Sequence, residues 1–171
     1  MDVKKFRLSV AGLVGQLFAL DPATGLPTTT PINGLAHLPQ SLSETKLPCS
    51  VIFTNSSKYP TPPPVTIDRF YPEASDFILE FYITKAQAGV DFVAEERAEM
   101  YLDYTRDWLQ SHPQLWDGDP AHAPVGIQKA YTVSRTGITS RLAYTIGEEK
   151  YLGFSYVIRV EADNEVNYYG Q

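Results

Sequence analysis

The sequence is poor in the residue types that most often carry chemistry: its 171 residues include one cysteine and three histidines. A single cysteine, Cys49, excludes an intrachain disulfide and favours a reducing compartment, because small secreted domains tend to be rich in disulfides. Cys49 opens the apolar run Cys49–Phe53, where a buried, unreactive thiol is expected. His37, His112 and His122 lie far apart, without the spacing of a metal site. A cation at His112 would suit the end of a helix.

Basic residues and long apolar runs are scarce as well. Lys and Arg number 14 against 20 Asp and Glu, which gives a formal net charge of −6. Binding along nucleic acid requires clustered Lys and Arg, and the short basic cluster Lys4–Arg7 is interpreted as the solvated face of a helix. No apolar run approaches the roughly 20 residues that span a bilayer, and no signal peptide is recognisable. We therefore expect neither a broad nucleic-acid surface nor a membrane segment.

The rest of the composition is that of an ordinary globular protein, with 43% apolar and 20% charged residues. A chain of this length predicts one domain, residues 1–171, with a sizeable core. Within it, residues 21–48 are punctuated by proline and predict an extended arm. Its leucines make it too apolar for a free linker. We expect Leu35, Leu38 and Leu42 to dock either on the core of their own chain or on another subunit.

Two segments have the periodicity of amphipathic helices. The first is Asp2–Leu20, where Gly12 and Gly15 are expected to permit the close approach of a neighbouring backbone. The second is Asp91–Gln110, which Pro113 ends. One stripe of the second helix is apolar, and the opposite stripe is acidic. The acidic stripe includes Glu95, Glu99, Asp103 and Asp107, interpreted as a solvated face rather than a catalytic pair of carboxylates.

The remaining periodic segments alternate as strands do. The sequence predicts strands at Ser50–Thr54, Thr66–Tyr71, Asp76–Thr84, Gly126–Arg135, Ile138–Ile146 and Tyr151–Glu161. A turn is expected at Tyr71–Glu73, and the last three strands are expected to form a meander. Bulky groups on both faces of Asp76–Thr84 indicate a central strand or one covered on both faces. The predicted fold class is α+β, with a mixed or mainly antiparallel sheet flanked by two helices.

A search for catalytic and cofactor motifs finds none that is complete. Asp117–Asp119 is similar to a fragment of a calcium loop but lacks the remaining ligands. No phosphate loop, dinucleotide fingerprint or nucleophile elbow is present. We therefore expect no enzyme activity, no cofactor and no metal.

The aromatic residues are more informative, because Tyr and Trp are favoured at protein interfaces. Trp116 lies in the polar loop after the second helix, either as a contact residue or as a lid over the helix end. Tyr151 opens the last strand, and Tyr168 and Tyr169 lie in the C-terminal tail. These three tyrosines, Trp116 and the arm leucines are the candidate interface.

The order of these segments resembles the tail terminator (tail completion, or minor tail) proteins of long-tailed bacteriophages. The resemblance rests on an N-terminal helix, an approach at Leu47–Pro48 to the strand Val51–Phe53, and a central strand, Phe77–Ile83. It continues with the helix end Asp107–Leu115 and the Tyr-x-Gly-x-x-Tyr start of the closing strand, Tyr151–Tyr156. It covers most of the chain, and the long arm departs from the compact family pattern.

The resemblance implies a structural protein of the virion tail or neck rather than an enzyme. Its expected partners are further copies of itself in a homohexameric ring, the tail tube protein, and the head connector or head-closure protein. Genomic DNA would pass through the lumen without specific binding, which an acidic lining favours. The candidate lumen residues are Glu95, Glu99, Asp103, Glu148 and Glu149.

Two other functions remain open from the sequence. One is a related neck protein, such as a head-closure protein or head-tail adaptor. The other is a non-viral binding module whose Pro-rich arm docks on a partner protein.

Overall fold

The computed structural model describes residues 2–37, 39–40, 42–43, 46–58, 70–86, 92–123, 128–135, 143–146 and 149–165. In this part of the chain the fold is α+β, as predicted. The helices are α1, Val3–Val14, and α2, Phe92–Gln110. The strands are β1 Phe18–Leu20, β2 Pro27–Pro31, β3 Asn33–Leu35, β4 Cys49–Lys58, β5 Phe70–Lys85, β6 Gln128–Arg135, β7 Ala143–Ile146 and β8 Glu149–Glu165. Neither of these helices is long and apolar enough to cross a membrane.

One mixed sheet forms the centre of the molecule. Its strands follow the order β3, β4, β5, β8, β6, and β7 also pairs with β8. The β3 strand is parallel to β4, and the other pairs are antiparallel. Strands β1 and β2 form a separate antiparallel hairpin. The central position of β5, between β4 and β8, agrees with the bulky groups on both of its faces.

Alternation along the strands divides the core into two clusters. The larger cluster lies between α1, α2 and one face of the sheet, and includes Phe77, Phe81, Phe154 and Tyr156. The apolar stripe predicted for α2 lies in this cluster, with Tyr101 fully buried. The smaller cluster lies on the opposite face and contains Leu42, Cys49, Val51, Tyr82 and Tyr151.

Helix α1 begins where the sequence indicates but ends earlier. The Asp2 side chain accepts a hydrogen bond from the Lys5 amide, which caps the first turn. The predicted end at Leu20 is wrong, because the helix ends at Val14 and Gly15 follows as its C-cap. Leu20 is buried from strand β1 instead of from a helical stripe.

The turn predicted at Tyr71–Glu73 is also wrong, because β5 runs without interruption through Pro72. Pro72 lies opposite Asp163 of β8, whereas pairing with β4 begins only at Ala74. The proline nitrogen can therefore face the side of β5 where β4 is absent, which is where a strand tolerates proline.

The predicted meander is confirmed only where β7 pairs with β8, because the described part of β6 pairs with β8 instead of with β7. β6 pairs with β8 from Tyr156 to Ala162, and β7 pairs with β8 from Glu149 to Leu152. Since β5 occupies the other side of β8, β6 and β7 lie end to end along one side of it. The long β8 strand provides enough backbone for two short partners in succession.

The arm, residues 21–48, is less irregular than its prolines suggest. It contributes β2 and β3, and Leu42 is 3% exposed in the smaller cluster, with Leu35 and Leu47 packed against it. The Arg7 guanidinium holds the arm to α1 by donating to the carbonyl of Ala36. Arg7 is half-buried, so the predicted solvated face at Lys4–Arg7 holds for its two lysines only.

Several predictions concern residues outside the described part of the chain. They are residues 66–69 and 138–142 of two predicted strands, Leu38, Glu148, Tyr168 and Tyr169.

Candidate functional site

The loop that follows α2, residues 111–123, is held in one shape by bonds to α1 and within itself. The Ser9 hydroxyl donates to the carbonyl of Leu115 at 2.9 Å and accepts from the Asp117 amide at 3.1 Å. The Gln16 side-chain amide donates to the Asp117 carbonyl at 2.7 Å. Leu115 is fully buried and adopts a positive φ of 51°. We call residues 115–122 the Trp116 loop.

The Asp117 carboxylate is the internal anchor of the Trp116 loop. It accepts from the Asp119 amide at 3.1 Å and lies 2.8 Å from His122 Nδ1. Its side chain is 7% exposed. Only glycine fits beneath it, since a Cβ at Gly12 would lie 2.2 Å from Asp117 Oδ2. The sequence predicts a neighbouring backbone close to Gly12, but the group that approaches it is the Asp117 side chain.

Trp116 is presented at the surface by this framework. Its indole nitrogen donates to the Asp119 carbonyl at 2.9 Å, and the residue is 37% exposed. The sequence leaves two interpretations of Trp116, a contact residue and a lid over the helix end. His112 covers the helix end, since its ring lies 4.5 Å from that of Trp108 and its Nδ1 lies 2.8 Å from the Trp108 carbonyl. A ring that is fixed before binding loses little conformational entropy on contact.

The smaller core cluster contains a second set of polar groups. The Tyr151 hydroxyl is placed to donate to the Leu42 carbonyl at 3.0 Å or to Glu149 Oε2 at 2.5 Å. Lys85 pairs with the other oxygen of Glu149 at 2.5 Å. The Lys85 hydrogen bond lowers the pKa of Glu149, and burial raises the pKa of Tyr151 to about 12. These groups fasten the arm to the sheet.

Glu80 and Cys49 belong to the same face of the sheet. The Tyr82 hydroxyl donates to Glu80 Oε2 at 2.5 Å, and burial raises the pKa of the Glu80 carboxyl. Burial raises the pKa of the Cys49 thiol to about 12. Cys49 is fully buried, as the sequence predicts.

The candidate interface residues fall into different environments. Leu42 and Tyr151 are buried within the chain at 3% and 0% exposure, so they present no surface to a partner in this conformation. Leu35 is half-buried. Of the candidate interface residues that the structure describes, Trp116 is the most exposed.

The candidate lumen residues are likewise divided. On α2, Glu95 is half-buried, whereas Glu99 and Asp103 are exposed. Asp103 pairs with Arg106 at 3.1 Å. Glu149 is bonded to Lys85 and Tyr151 on the sheet instead of extending the α2 stripe.

The histidines remain separate from one another. His37 lies 3.2 Å from the Arg7 guanidinium, and His112 and His122 belong to different parts of the loop after α2. Among the described residues no three His, Cys, Asp or Glu side chains come close enough to hold a metal ion. The pairing of Asp117 with His122 was not foreseen, although their spacing of five residues across Gly118 was visible in the sequence.

No protein-family model matches the sequence, and no curated protein matches it.

Ser9→Ala should destabilise the fold by about 1–3 kcal/mol, because it leaves the Leu115 carbonyl and the Asp117 amide without their partner. Ser9 is 2% exposed, so water cannot easily replace its hydroxyl. Urea unfolding followed by circular dichroism measures the change. Ser111→Ala is the matched control, since its hydroxyl also donates to a carbonyl but is exposed, and it should cost less than about 0.5 kcal/mol. Equal losses would contradict the anchoring role of Ser9.

Cys49 should be unreactive toward a thiol reagent in the native protein at pH 8 and at pH 10, and fully reactive in denaturant. The raised pKa keeps the thiol protonated. The contribution of the protonated Cys49 thiol to the free energy of unfolding is fully present below its ordinary pKa of 9.0. This contribution is lost as the pH rises toward about 12. Rapid modification of the folded protein at pH 8 would show that the arm does not protect Cys49.

Proposed function

We propose that this protein is a structural component of a phage virion, a tail terminator that forms a ring on the tail tube and joins it to the head connector. The observation that carries the proposal is the Trp116 loop, in which hydrogen bonds of Ser9, Gln16 and Asp117 fix the backbone that carries one exposed aromatic ring. Groups that could do chemistry elsewhere, such as Asp117 and His122, bind each other. This arrangement favours a contact surface over a reaction centre.

Other properties support assembly with further copies of the chain. The α+β architecture is compatible with the family that the sequence resembles. A ring that closes uses two different surface patches on each subunit. The acidic composition and the exposed stripe at Glu99 and Asp103 suit a passage for DNA, because like charge discourages adhesion.

The oligomeric state and the phenotype of a deletion test the proposal together. The purified protein should have a mass near six times 19.1 kDa, and negative-stain images should show rings. Deleting the gene from the phage should give overlong tail tubes. Full-length tails unattached to heads would instead assign a head-closure or adaptor function. A monomer that does not associate with tail tubes would contradict the proposal.

Trp116→Ala should weaken assembly at least about 30-fold, the equivalent of a 2 kcal/mol hot spot, while the fold is retained. Sedimentation over a range of concentrations measures assembly, and tube binding is assayed separately. Leu26→Ala is the matched control, because Leu26 is 65% exposed but lies outside the anchored loop. If both variants assemble and bind tubes as the wild type does, Trp116 is not a contact residue.

A further inference from the structure

Among the strands that the structure describes, the central sheet has two open edges that match each other. β4 pairs with β3 only from Cys49 to Val51. From Ile52 to Lys58, no described strand lies on the outer side of β4. At the opposite side of the sheet, no described strand lies on the outer side of β6. Unpaired edge strands present rows of backbone donors and acceptors that can pair with another chain.

The two open edges lie at the same level of the sheet. The residue pairs can be followed from β4 through β5 and β8 to β6. Each end of the open segment of β4 lies in the same row as one end of the open segment of β6. One row contains Ile52, Leu79, Tyr156 and Arg135, and another contains Lys58, Ala74, Glu161 and Lys129. The open segments are therefore matched in length at seven residues, or about 24 Å.

The edges also run in opposite directions. Each step from β4 to β5, β8 and β6 is antiparallel, so three steps leave β6 antiparallel to β4. In a ring with the strands along its axis, rotation preserves strand direction. The β6 edge of one copy would then meet the β4 edge of the next as an antiparallel pair, which forms well-aligned hydrogen bonds.

Both edges carry an irregularity at nearly the same level. The β4 register shifts between Thr54 and Ser56, and the β6 register shifts between Ala130 and Thr132. Ser56 and Thr132 belong to the same row, through Asp76 and Arg159. Bulges at edges restrict pairing to partners that accommodate them. A second copy of this chain carries the corresponding bulge.

We propose that the outer edge of β4, Ile52–Lys58, pairs with the outer edge of β6 in a second copy of this chain, joining the sheets of adjacent subunits. The inference rests on the proposed ring and specifies the surfaces through which it closes. Lys58 and Lys129 share a row, so pairing without stagger would place like charges opposite each other. Strands that are tilted to the ring axis pair with a shift of two residues along the edge, which separates the two lysines and still allows the ring to close.

Proline substitutions at adjacent residues test the pairing. Successive backbone amides of a strand point to opposite sides. Two pairs of variants are compared: Ser57→Pro with Lys58→Pro in β4, and Val133→Pro with Ser134→Pro in β6. In each pair, one proline removes a donor that points away from the sheet. The other breaks the internal ladder and serves as the matched control for folding. The variants that retain the circular dichroism of the wild type should be monomeric, with at least a 30-fold loss of assembly. Folded proline variants of both edges that still form the wild-type oligomer would overturn the edge pairing and leave the ring proposal intact.

Cysteine cross-linking supplies a readout that does not depend on tolerance of proline. Ser57→Cys is combined in turn with Gln128→Cys, Ala130→Cys or Val133→Cys, which lie in the rows that face Ser57 for a shift of two residues one way, no shift, and a shift of two residues the other way. At least one combination should give a ladder of cross-linked multimers under oxidation, while each single variant gives none above a dimer. An oligomer in which no combination forms a ladder would reject the edge pairing alone. A wild-type monomer would reject both this pairing and the ring.

Discussion

Gly153→Ala should lower the free energy of unfolding by about 3 kcal/mol or more, among the largest losses of any single methyl addition to this protein. Gly153 lies in β8 opposite Tyr82, beside the register shift of β5. A Cβ there would lie 1.8 Å from the Phe81 carbonyl oxygen and 2.9 Å from its carbon. These atoms belong to the backbone of a central strand, so they cannot move aside as a flexible side chain would. Urea unfolding followed by circular dichroism measures the loss.

Gly118→Ala provides the comparison for this result. Gly118 has a φ of +88°, and a Cβ there would meet no atom within 4 Å. Its substitution therefore incurs the conformational cost alone, about 1–2 kcal/mol. If Gly153→Ala is no more destabilising than Gly118→Ala, the strands separate more easily than their register implies.

Phe154→Ala should destabilise the protein by about 3–5 kcal/mol, because it opens a cavity in the larger core cluster. The Phe154 ring is fully buried and stacks on Phe81 with centroids 5.0 Å apart. It also meets Tyr156 edge to face at 5.6 Å. Aromatic pairs of this kind contribute about 0.5–1.5 kcal/mol beyond the area they bury.

Phe18→Ala is the control for Phe154→Ala, because it removes the same side-chain atoms from an exposed position. Phe18 is 44% exposed on the β1 strand, so its truncation should cost less than about 1 kcal/mol. Thermal and urea unfolding of the two variants should differ clearly in midpoint. Similar midpoints would indicate that the core relaxes into the space left by Phe154.

The sequence predicts the helices and the long strands because their burial is periodic. The apolar stripe of α2 and the alternation from Phe77 to Ile83 each have one dominant period, and the structure follows them. The end of α1 was harder to place. Leu17 and Leu20 fit the helical stripe, yet they are buried just as well from the chain that follows Gly15. A buried side chain does not by itself identify the backbone conformation that buries it.

Pairing between strands that are distant in sequence explains the other differences between the predicted and the observed fold. Pro72 predicts a turn when β5 is considered alone, and the prediction fails because β4 does not reach that part of the strand. The meander fails at β6 for a similar reason, since nothing local indicates that β8 is long enough for both β6 and β7. Sequential neighbours in a sheet are common but not obligatory.

The candidate site was partly visible in the sequence. Trp116 was identified as a contact candidate from its residue type and its place in a polar loop. The anchors of that loop were not identified, because Ser9 and Gln16 lie about 100 residues away along the chain. Tyr151 was placed on the surface by the same reasoning about aromatics, but the packing of Leu42 against the sheet encloses it.

The position of β8 has a consequence for the order of folding. This strand follows every other described element along the chain, yet it lies between β5 and β6. During synthesis, one hydrogen-bonding edge of β5 must therefore wait for residues made about 75 positions later, judged from the pairing of Phe81 with Phe154. Contacts of such sequence separation slow folding and expose unpaired strands in the meantime. Assembly would then begin from finished subunits, and a ribosome stalled before β8 would hold β3, β4 and β5 together with β6 and β7 strands that lack the strand they pair with.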